Sequence, residues 1–215
     1  MAYNIKGSLS VKGTAVIGGV QVDTYDSWDP ASIDGPTILS NNNLTATRPG
    51  GLGDQGLLKG NFGMSSGKYY WEYNIPSAIT GWFFGVANAA SVNDGDQNIP
   101  GYNPGNGASA KGFGIDYAGG RYKDNVASGN ITWGATSGTI GMALDMDNNR
   151  IYFTNFAGAW LGGGDPTVPT PSFTVTADTY YIAASVTNTT FLNLKTDQAD
   201  WIYTVPPGYI AVPGV

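Results

Sequence analysis

From Lys68 to Ile75 the chain reads Lys-Tyr-Tyr-Trp-Glu-Tyr-Asn-Ile, an alternation with the period of a strand and not of a helix. That period puts Tyr69, Trp71, Tyr73 and Ile75 on one face and Tyr70, Glu72 and Asn74 on the other. Rings in such numbers need a second layer to pack against, so the chain must build a sheet with a partner. Comparable runs recur downstream. Gly81 to Ala87 is a short apolar run suited to burial on both sides, and Ile140, Met142, Leu144 and Met146 point one way between Thr139 and Met146. The chain then turns at Asp147-Asn148-Asn149 and returns as Ile151-Tyr152-Phe153. Lys111 to Tyr117 and Arg121 to Asn125 flank Gly119-Gly120, a dipeptide suited to the positive φ angles of a tight hairpin. Tyr180 to Val186 and Thr190 to Leu194 read as a further pair around Asn188.

Short strands separated by Gly, Asn and Asp, with no helical periodicity, predict an all-β sandwich or barrel. The 32 Gly and 12 Pro follow no triplet period and so supply turns. A length of 215 residues suits one such domain plus an appendage. We place the sandwich at 25–215 and an arm at 1–24. Within the arm, Ile5-Lys6-Gly7-Ser8-Leu9-Ser10, Val11-Lys12-Gly13-Thr14-Ala15-Val16 and Ile17-Gly18-Gly19-Val20-Gln21-Val22 are units of one length, each opening on a β-branched residue with Gly in third place. A unit that short cannot bury its own face and asks for neighbours or other copies of itself. Ile5, Leu9, Val11, Val16, Ile17 and Val20 are its candidate oligomerisation or attachment residues. A single meander edge or a plain lead-in explains the same pattern.

Charge and residue usage exclude several functions. A net charge of −6 without a basic run argues against nucleic acid, whose phosphates need clustered Lys and Arg. With no Cys there is no disulfide, thiolate nucleophile or Cys-type zinc site. With no His, the familiar catalytic triads and the commonest general base are absent. Glu72 is the sole Glu, so a glycosidase would need a pair of Asp. Asp94 with Asp96, and Asp145 with Asp147, have the spacing, but Asp favours such positions because it bonds its own turn backbone. Asp145-Met146-Asp147-Asn148-Asn149 also offers the alternate oxygens a calcium ion takes, without the bidentate Glu that completes such loops, and a hairpin turn accounts for it better. The expectation is a non-enzymatic protein with no cofactor and no metal. The opening Met1-Ala2-Tyr3-Asn4-Ile5-Lys6 has no continuous apolar stretch, so neither secretory leader nor membrane insertion is expected.

Two segments read as long loops, where recognition residues concentrate. Ser91 to Lys111 holds Asp94, Asp96, Tyr102, Asn103 and Asn106, and Phe156 to Ser172 holds Trp160 and Asp165. A ring beside Asn and Asp can stack on the apolar face of a sugar while the polar groups take its hydroxyls. Equally, the ring can anchor its own loop.

Ser65-Ser66-Gly67-Lys68-Tyr69-Tyr70-Trp71-Glu72 resembles the opening strand motif of SPRY domains. Ser27-Trp28-Asp29-Pro30 and Thr37-Ile38-Leu39-Ser40 resemble the Trp-Asn-Pro and Leu-Ser elements at the start of microbial members. Ile140-Gly141-Met142-Ala143-Leu144-Asp145, Asn149-Arg150-Ile151-Tyr152-Phe153 and Pro206-Pro207-Gly208-Tyr209 resemble later motifs, in the family's order. Asn155-Phe156-Ala157-Gly158 and Asn193-Leu194-Lys195 depart from it, which reads as a reshaped loop and edge strand, and no peptide pocket is carried over. The resemblance implies a two-sheet antiparallel, concanavalin-like β-sandwich in which Glu72 is structural. Gly7 to Ile17 resembles repeats in fibre and appendage proteins of tailed bacteriophages. Together these imply a virion protein made in the host cytoplasm, fibre-like or decorating, attached to virion partners by its arm as a homotrimer, and binding a host-surface glycan or protein. An intracellular adaptor that docks a short peptide and a polysaccharide depolymerase are the alternatives.

Overall fold

The computed structural model describes residues 15–17, 20–22, 25–33, 36–49, 56–76, 81–91, 100–101, 111–133, 137–168, 173–186 and 191–214. Its strands in chain order are β1 (Ala15–Ile17), β2 (Val20–Val22), β3 (Ile38–Ser40), β4 (Thr45–Thr47), β5 (Gly56–Lys59), β6 (Lys68–Ile75), β7 (Trp82–Asn88) and β8 (Gly112–Asp116). They continue as β9 (Gly120–Lys123), β10 (Val126–Asn130), β11 (Gly138–Asp145), β12 (Arg150–Phe153), β13 (Phe173–Thr174), β14 (Tyr180–Val186), β15 (Phe191–Lys195) and β16 (Ile210–Ala211). Among the described residues the only helical turns are two short 3-10 turns, each started by an Asp, Asp29 and Asp197, whose carboxylate accepts a backbone N–H two residues on.

Two sheets face one another. The smaller runs β10-β9-β8-β7-β14-β5, and the larger runs β13-β12-β11-β6-β15-β4-β3. Among the described residues all pairs are antiparallel except that β16 lies parallel to β6. The alternation read from the sequence fixes which side chains meet: Trp71, Tyr73 and Ile75 of β6 and Ile140, Met142 and Leu144 of β11 face Trp82, Phe84 and Val86 of β7 and Ile182, Ala184 and Val186 of β14. Aromatic rings form the spine of this interface. Trp28 stacks on Tyr73 at 6.2 Å, Tyr73 on Phe84 at 4.5 Å, and Phe84 on Trp82 at 4.7 Å. The Tyr73 hydroxyl then crosses to the opposite sheet and donates to the Ala183 carbonyl at 3.0 Å.

The expected strand bounds at Lys68–Ile75 and the β11–β12 hairpin are found, with Asn149 in the left-handed region at φ 54°. Three readings are corrected. Tyr180 to Val186 and Thr190 to Leu194 do not pair: β14 lies between β7 and β5, whereas β15 lies in the other sheet between β6 and β4. The chain crosses from one sheet to the other there, which alternation alone cannot distinguish from a hairpin. Accordingly Asn193-Leu194-Lys195 belongs to an interior strand and not to an edge. At Gly119-Gly120, only Gly119 has positive φ, at 91°. Gly120 opens β9, and a Cβ there would stand 2.5 Å from the Asp116 carboxylate that accepts its N–H.

The larger sheet carries a second layer on its outer face. Tyr70, Ala143, Tyr152 and Tyr209 are buried there with Trp160, Trp201 and Val205 against them. The fully buried Glu72 fastens this cover: its carboxylate accepts the Tyr70 hydroxyl at 3.0 Å, the Ile202 N–H at 3.0 Å and the Tyr203 N–H at 2.9 Å. The structural role implied for Glu72 is thus its observed geometry.

Asp26 closes the domain. Its backbone N–H donates to Val212, its carbonyl accepts from the Thr196 hydroxyl, and neighbouring Tyr25 pairs with Pro213. Oδ1 of its buried carboxyl accepts from the N–H groups of Ser27, Asn61 and Phe62 at 3.0, 2.8 and 3.1 Å. Oδ2 is sealed without a partner. Burial pushes this carboxyl up to about 7, although the three N–H groups pull the other way. Between about pH 4 and about 7 the folded protein therefore holds a proton that the unfolded chain has released, and stability falls as the pH rises through that window. Asp26→Asn, which keeps the acceptor and cannot ionise, should flatten the dependence and raise stability at about pH 8 by on the order of a few kcal/mol. Urea titrations of both proteins at about pH 5 and about pH 8 check this; parallel pH slopes would contradict it.

Candidate functional site

One side-chain amide reaches both roots of the long segment between β7 and β8. Asn88 Oδ1 accepts from the Ser91 N–H at 3.2 Å and the Lys111 N–H at 3.1 Å, so one side chain ties both ends. Its Nδ2 donates to Asp178 Oδ2 at 3.0 Å, and Lys111 Nζ stands 3.8 Å from the same oxygen. From β5, Lys59 Nζ donates to the Ser91 carbonyl at 2.8 Å and lies over the Tyr181 ring.

A third anchor lies midway. Pro100 and Gly101 are buried, and the Gly101 carbonyl accepts from Asn125 N–H at 2.9 Å. They lie on the outer face of β8, where Gly112 and Gly114 alternate with the core residues Phe113 and Ile115. A Cβ on Gly114 would stand 1.9 Å from the Pro100 carbonyl oxygen, so only glycine lets the backbone lie this close. The signal was present as Gly-Phe-Gly, a strand with a missing outer face. Asp94 and Asp96 precede this anchor and Tyr102, Asn103 and Asn106 follow it; all of these lie outside the described residues.

Trp160 is on the opposite side of the molecule. It bridges to Thr154 and meets the Tyr152 ring edge-on at 6.3 Å, half-buried on the outer face of the larger sheet. Asp165 bonds within its own turn, accepting from Thr167 N–H at 2.8 Å and the Thr167 hydroxyl at 2.6 Å, and those bonds hold its carboxyl below the usual range. Of the arm residues, Ile5, Leu9 and Val11 lie outside the described residues. Ile17 and Val20 are register partners in the β1–β2 pair, with Val16 opposite Gln21. That pair is a two-stranded sheet separate from both sandwich sheets.

Asp145 and Asp147 are taken up by the hairpin they flank. Asp145 accepts from Asn148 N–H and Nδ2 and pairs with Lys68 at 3.3 Å; Asp147 accepts from Gly67 N–H at 2.7 Å. Among the described residues no three His, Cys, Asp or Glu side chains gather as metal ligands.

One polar feature escaped the sequence reading. Across the outer face of the larger sheet, Thr45 Oγ1 donates to Asn193 Oδ1 at 2.8 Å, Asn193 Nδ2 to Asn74 Oδ1 at 3.4 Å, and Asn74 Nδ2 to Thr139 Oγ1 at 3.2 Å. These residues are cross-strand neighbours on β4, β15, β6 and β11. An uncharged row of amides and hydroxyls can hydrogen-bond a hydroxylated ligand, although the row also satisfies itself. Its residues come together only through the pairing of β15 with β4 and β6, which alternation along the chain does not signal.

No family model matches this sequence, and no curated protein does. Solved structures do. The SPRY domain of human HERC1 matches with a TM-score of 0.54 and 19% identity, covering 80% of this chain and 99% of that one. The TRIM65 PSpry domain matches at 0.57 and 16%, covering 80% and 93%. Stonustoxin matches at 0.55 and 16%, covering 80% of this chain and 27% of its own. The fold is a SPRY-like β-sandwich; identities this low carry the fold and not the ligand.

Two substitutions test these local arrangements. Asn88→Ala removes the side-chain tie at both roots of the loop at once, leaving their main-chain bonds, and should cost about 2 kcal/mol and raise protease cleavage between residues 92 and 110. Unchanged cleavage would mean that the other anchors suffice. Glu72→Ala strands buried donors and should cost about 3 kcal/mol or more, read as a fall in the urea midpoint.

Proposed function

We propose that this chain is a non-enzymatic recognition protein of a tailed-phage virion, fibre-like or decorating, whose SPRY-like sandwich binds a host-surface glycan or protein. The observation that carries the reading is the pairing of a rigid sandwich, from which a long polar loop is rooted at three points, with a separate β1–β2 sheet ahead of it. A lone two-stranded sheet is marginal in water and gains stability when neighbours add to it. This supports an arm that joins virion partners or other copies, with a homotrimer as the favoured state. Low charge and the absence of His and Cys from the sequence support binding over catalysis. Under this reading Tyr102, Asn103 and Asn106 supply stacking and hydrogen bonds, Asp94 and Asp96 further acceptors, and Trp160 with Asp165 a separate contact.

The second reading is an intracellular adaptor that docks a short peptide, and the likeness to the HERC1 and TRIM65 domains supports it. The two readings differ in assembly and ligand. Light scattering after gel filtration should give a trimer for the full chain and a monomer for a chain beginning at Tyr25. Sedimentation with phage-susceptible cells should retain the full chain and lose a Tyr102→Ala/Asn106→Ala variant. A monomer in both forms that ignores cell surfaces but binds a peptide would favour the adaptor.

A further inference from the structure

One register line of the larger sheet carries uncharged polar residues from five adjacent strands. Ser40 stands opposite Thr45, Thr45 opposite Asn193, Asn193 opposite Asn74, and Asn74 opposite Thr139. Their chain neighbours Ala46, Leu192, Leu194, Tyr73, Ile75 and Ile140 face the other sheet, so the line itself lies on the outer face. At the spacing of neighbouring strands it spans about 20 Å, longer than a single sugar and suited to a short chain of them. Asn is depleted from strands, yet Asn74 and Asn193 stand side by side in interior ones with no turn to form. Local preference gives way in this manner at functional surfaces.

The hydrogen bonds along the row use only part of its capacity. Each amide spends one Nδ2 hydrogen on its neighbour and keeps the second; each Oδ1 accepts one hydrogen and retains a further lone pair. Ser40 is exposed, and Thr45, Asn193 and Asn74 are partly so, which leaves these groups open to a ligand. A spare donor and a spare acceptor on one side chain match a sugar hydroxyl, which both gives and accepts. No fixed charge invites an anion. Glu72, beside the row, is sealed and taken up by Tyr70, Ile202 and Tyr203, and Lys195 gives its Nζ to the Asp200 carbonyl at 3.1 Å. The net charge of −6 also repels polyanions. Ile38 and Ile202, 57% and 61% exposed, flank the row on opposite sides, the first two residues from Ser40 on β3 and the second held at Glu72. They offer apolar contact to the C–H faces of sugar rings. We propose that this row binds a neutral oligosaccharide laid across the strands. The site rests on the glycan half of the reading above, and gives that glycan a contact separate from the loop rooted at Asn88.

The full chain is first passed over an array of bacterial surface polysaccharides, neutral and acidic. Neutral polymers should be retained, and raising sodium chloride from about 0.1 M to about 1 M should not release them. An oligosaccharide cut from a retained polymer is then titrated into the full chain labelled with 15N and 13C, its Nδ2 resonances assigned through their own side-chain carbons. Those of Asn74 and Asn193 should move saturably. Asn74→Val/Asn193→Val, chosen because Val suits a strand, should weaken binding about tenfold. Retention of acidic polymers alone overturns the proposal, as do amide resonances that stay in place. If this double variant binds as the wild type does while Tyr102→Ala/Asn106→Ala does not, the proposal falls and the glycan reading stands; an array that retains nothing removes both. If the double variant does not fold, the wild-type resonances decide.

Discussion

Everything in this sandwich is arranged around Tyr73. Its ring is clamped between Trp28, which enters from the start of the domain, and Phe84, which belongs to the facing sheet. Its hydroxyl reaches the Ala183 carbonyl in that facing sheet. Sheet-on-sheet packing is ordinarily non-directional, because dispersion and the hydrophobic effect fix separation more than register. A buried hydrogen bond between the layers adds direction, since sliding one sheet over the other would leave a donor stranded. Burial raises the Tyr73 hydroxyl far above its ordinary pKa, so it remains a donor throughout the physiological range.

The same strand serves a second interior. Tyr70 and Glu72, between the core residues of β6, support the layer formed by the C-terminal segment and Trp160. Both layers mix tied and untied polar groups. In the inter-sheet core Trp28, Trp71 and Trp82 each hold an Nε1–H without a partner, while Trp133 Nε1–H reaches the Asp116 carbonyl. In the outer layer Trp201 Nε1–H reaches the Lys195 carbonyl and the Tyr203 hydroxyl donates to the Thr139 carbonyl, while the buried Tyr209 hydroxyl has no partner.

What could be read from the sequence follows from the range of the forces involved. Strands β6, β7, β11 and β12 were legible because alternation and a turn residue such as Asn149 are local. Partnership between strands distant in sequence was not: nothing in Tyr180 to Leu194 signals that the chain changes sheet between β14 and β15. The amide row on the outer face depended on that unseen partnership. Gly112 and Gly114 were visible as letters, but the loop backbone that needs their bareness is brought there only by folding. The SPRY resemblance captured the fold because its motifs sit on the local elements. It carried no site: the candidate residues between Ser91 and Lys111 lie outside the described residues, and Trp160 packs into the outer layer of the larger sheet.

The pairing of Tyr25 with Pro213 has a mechanical consequence. Because the pair is antiparallel, the chain enters and leaves the sandwich side by side at one edge, running inward at Tyr25 and outward at Pro213. Tension applied between the two ends would peel this seam one bond at a time, the weak way to load a sheet. Tension running from the entry point to a load gripped at the surface is different: it passes through the sandwich and is shared among many bonds in parallel. The fold is thus poorly suited to act as a link strung in series within a stretched chain, and well suited to hang at its tip.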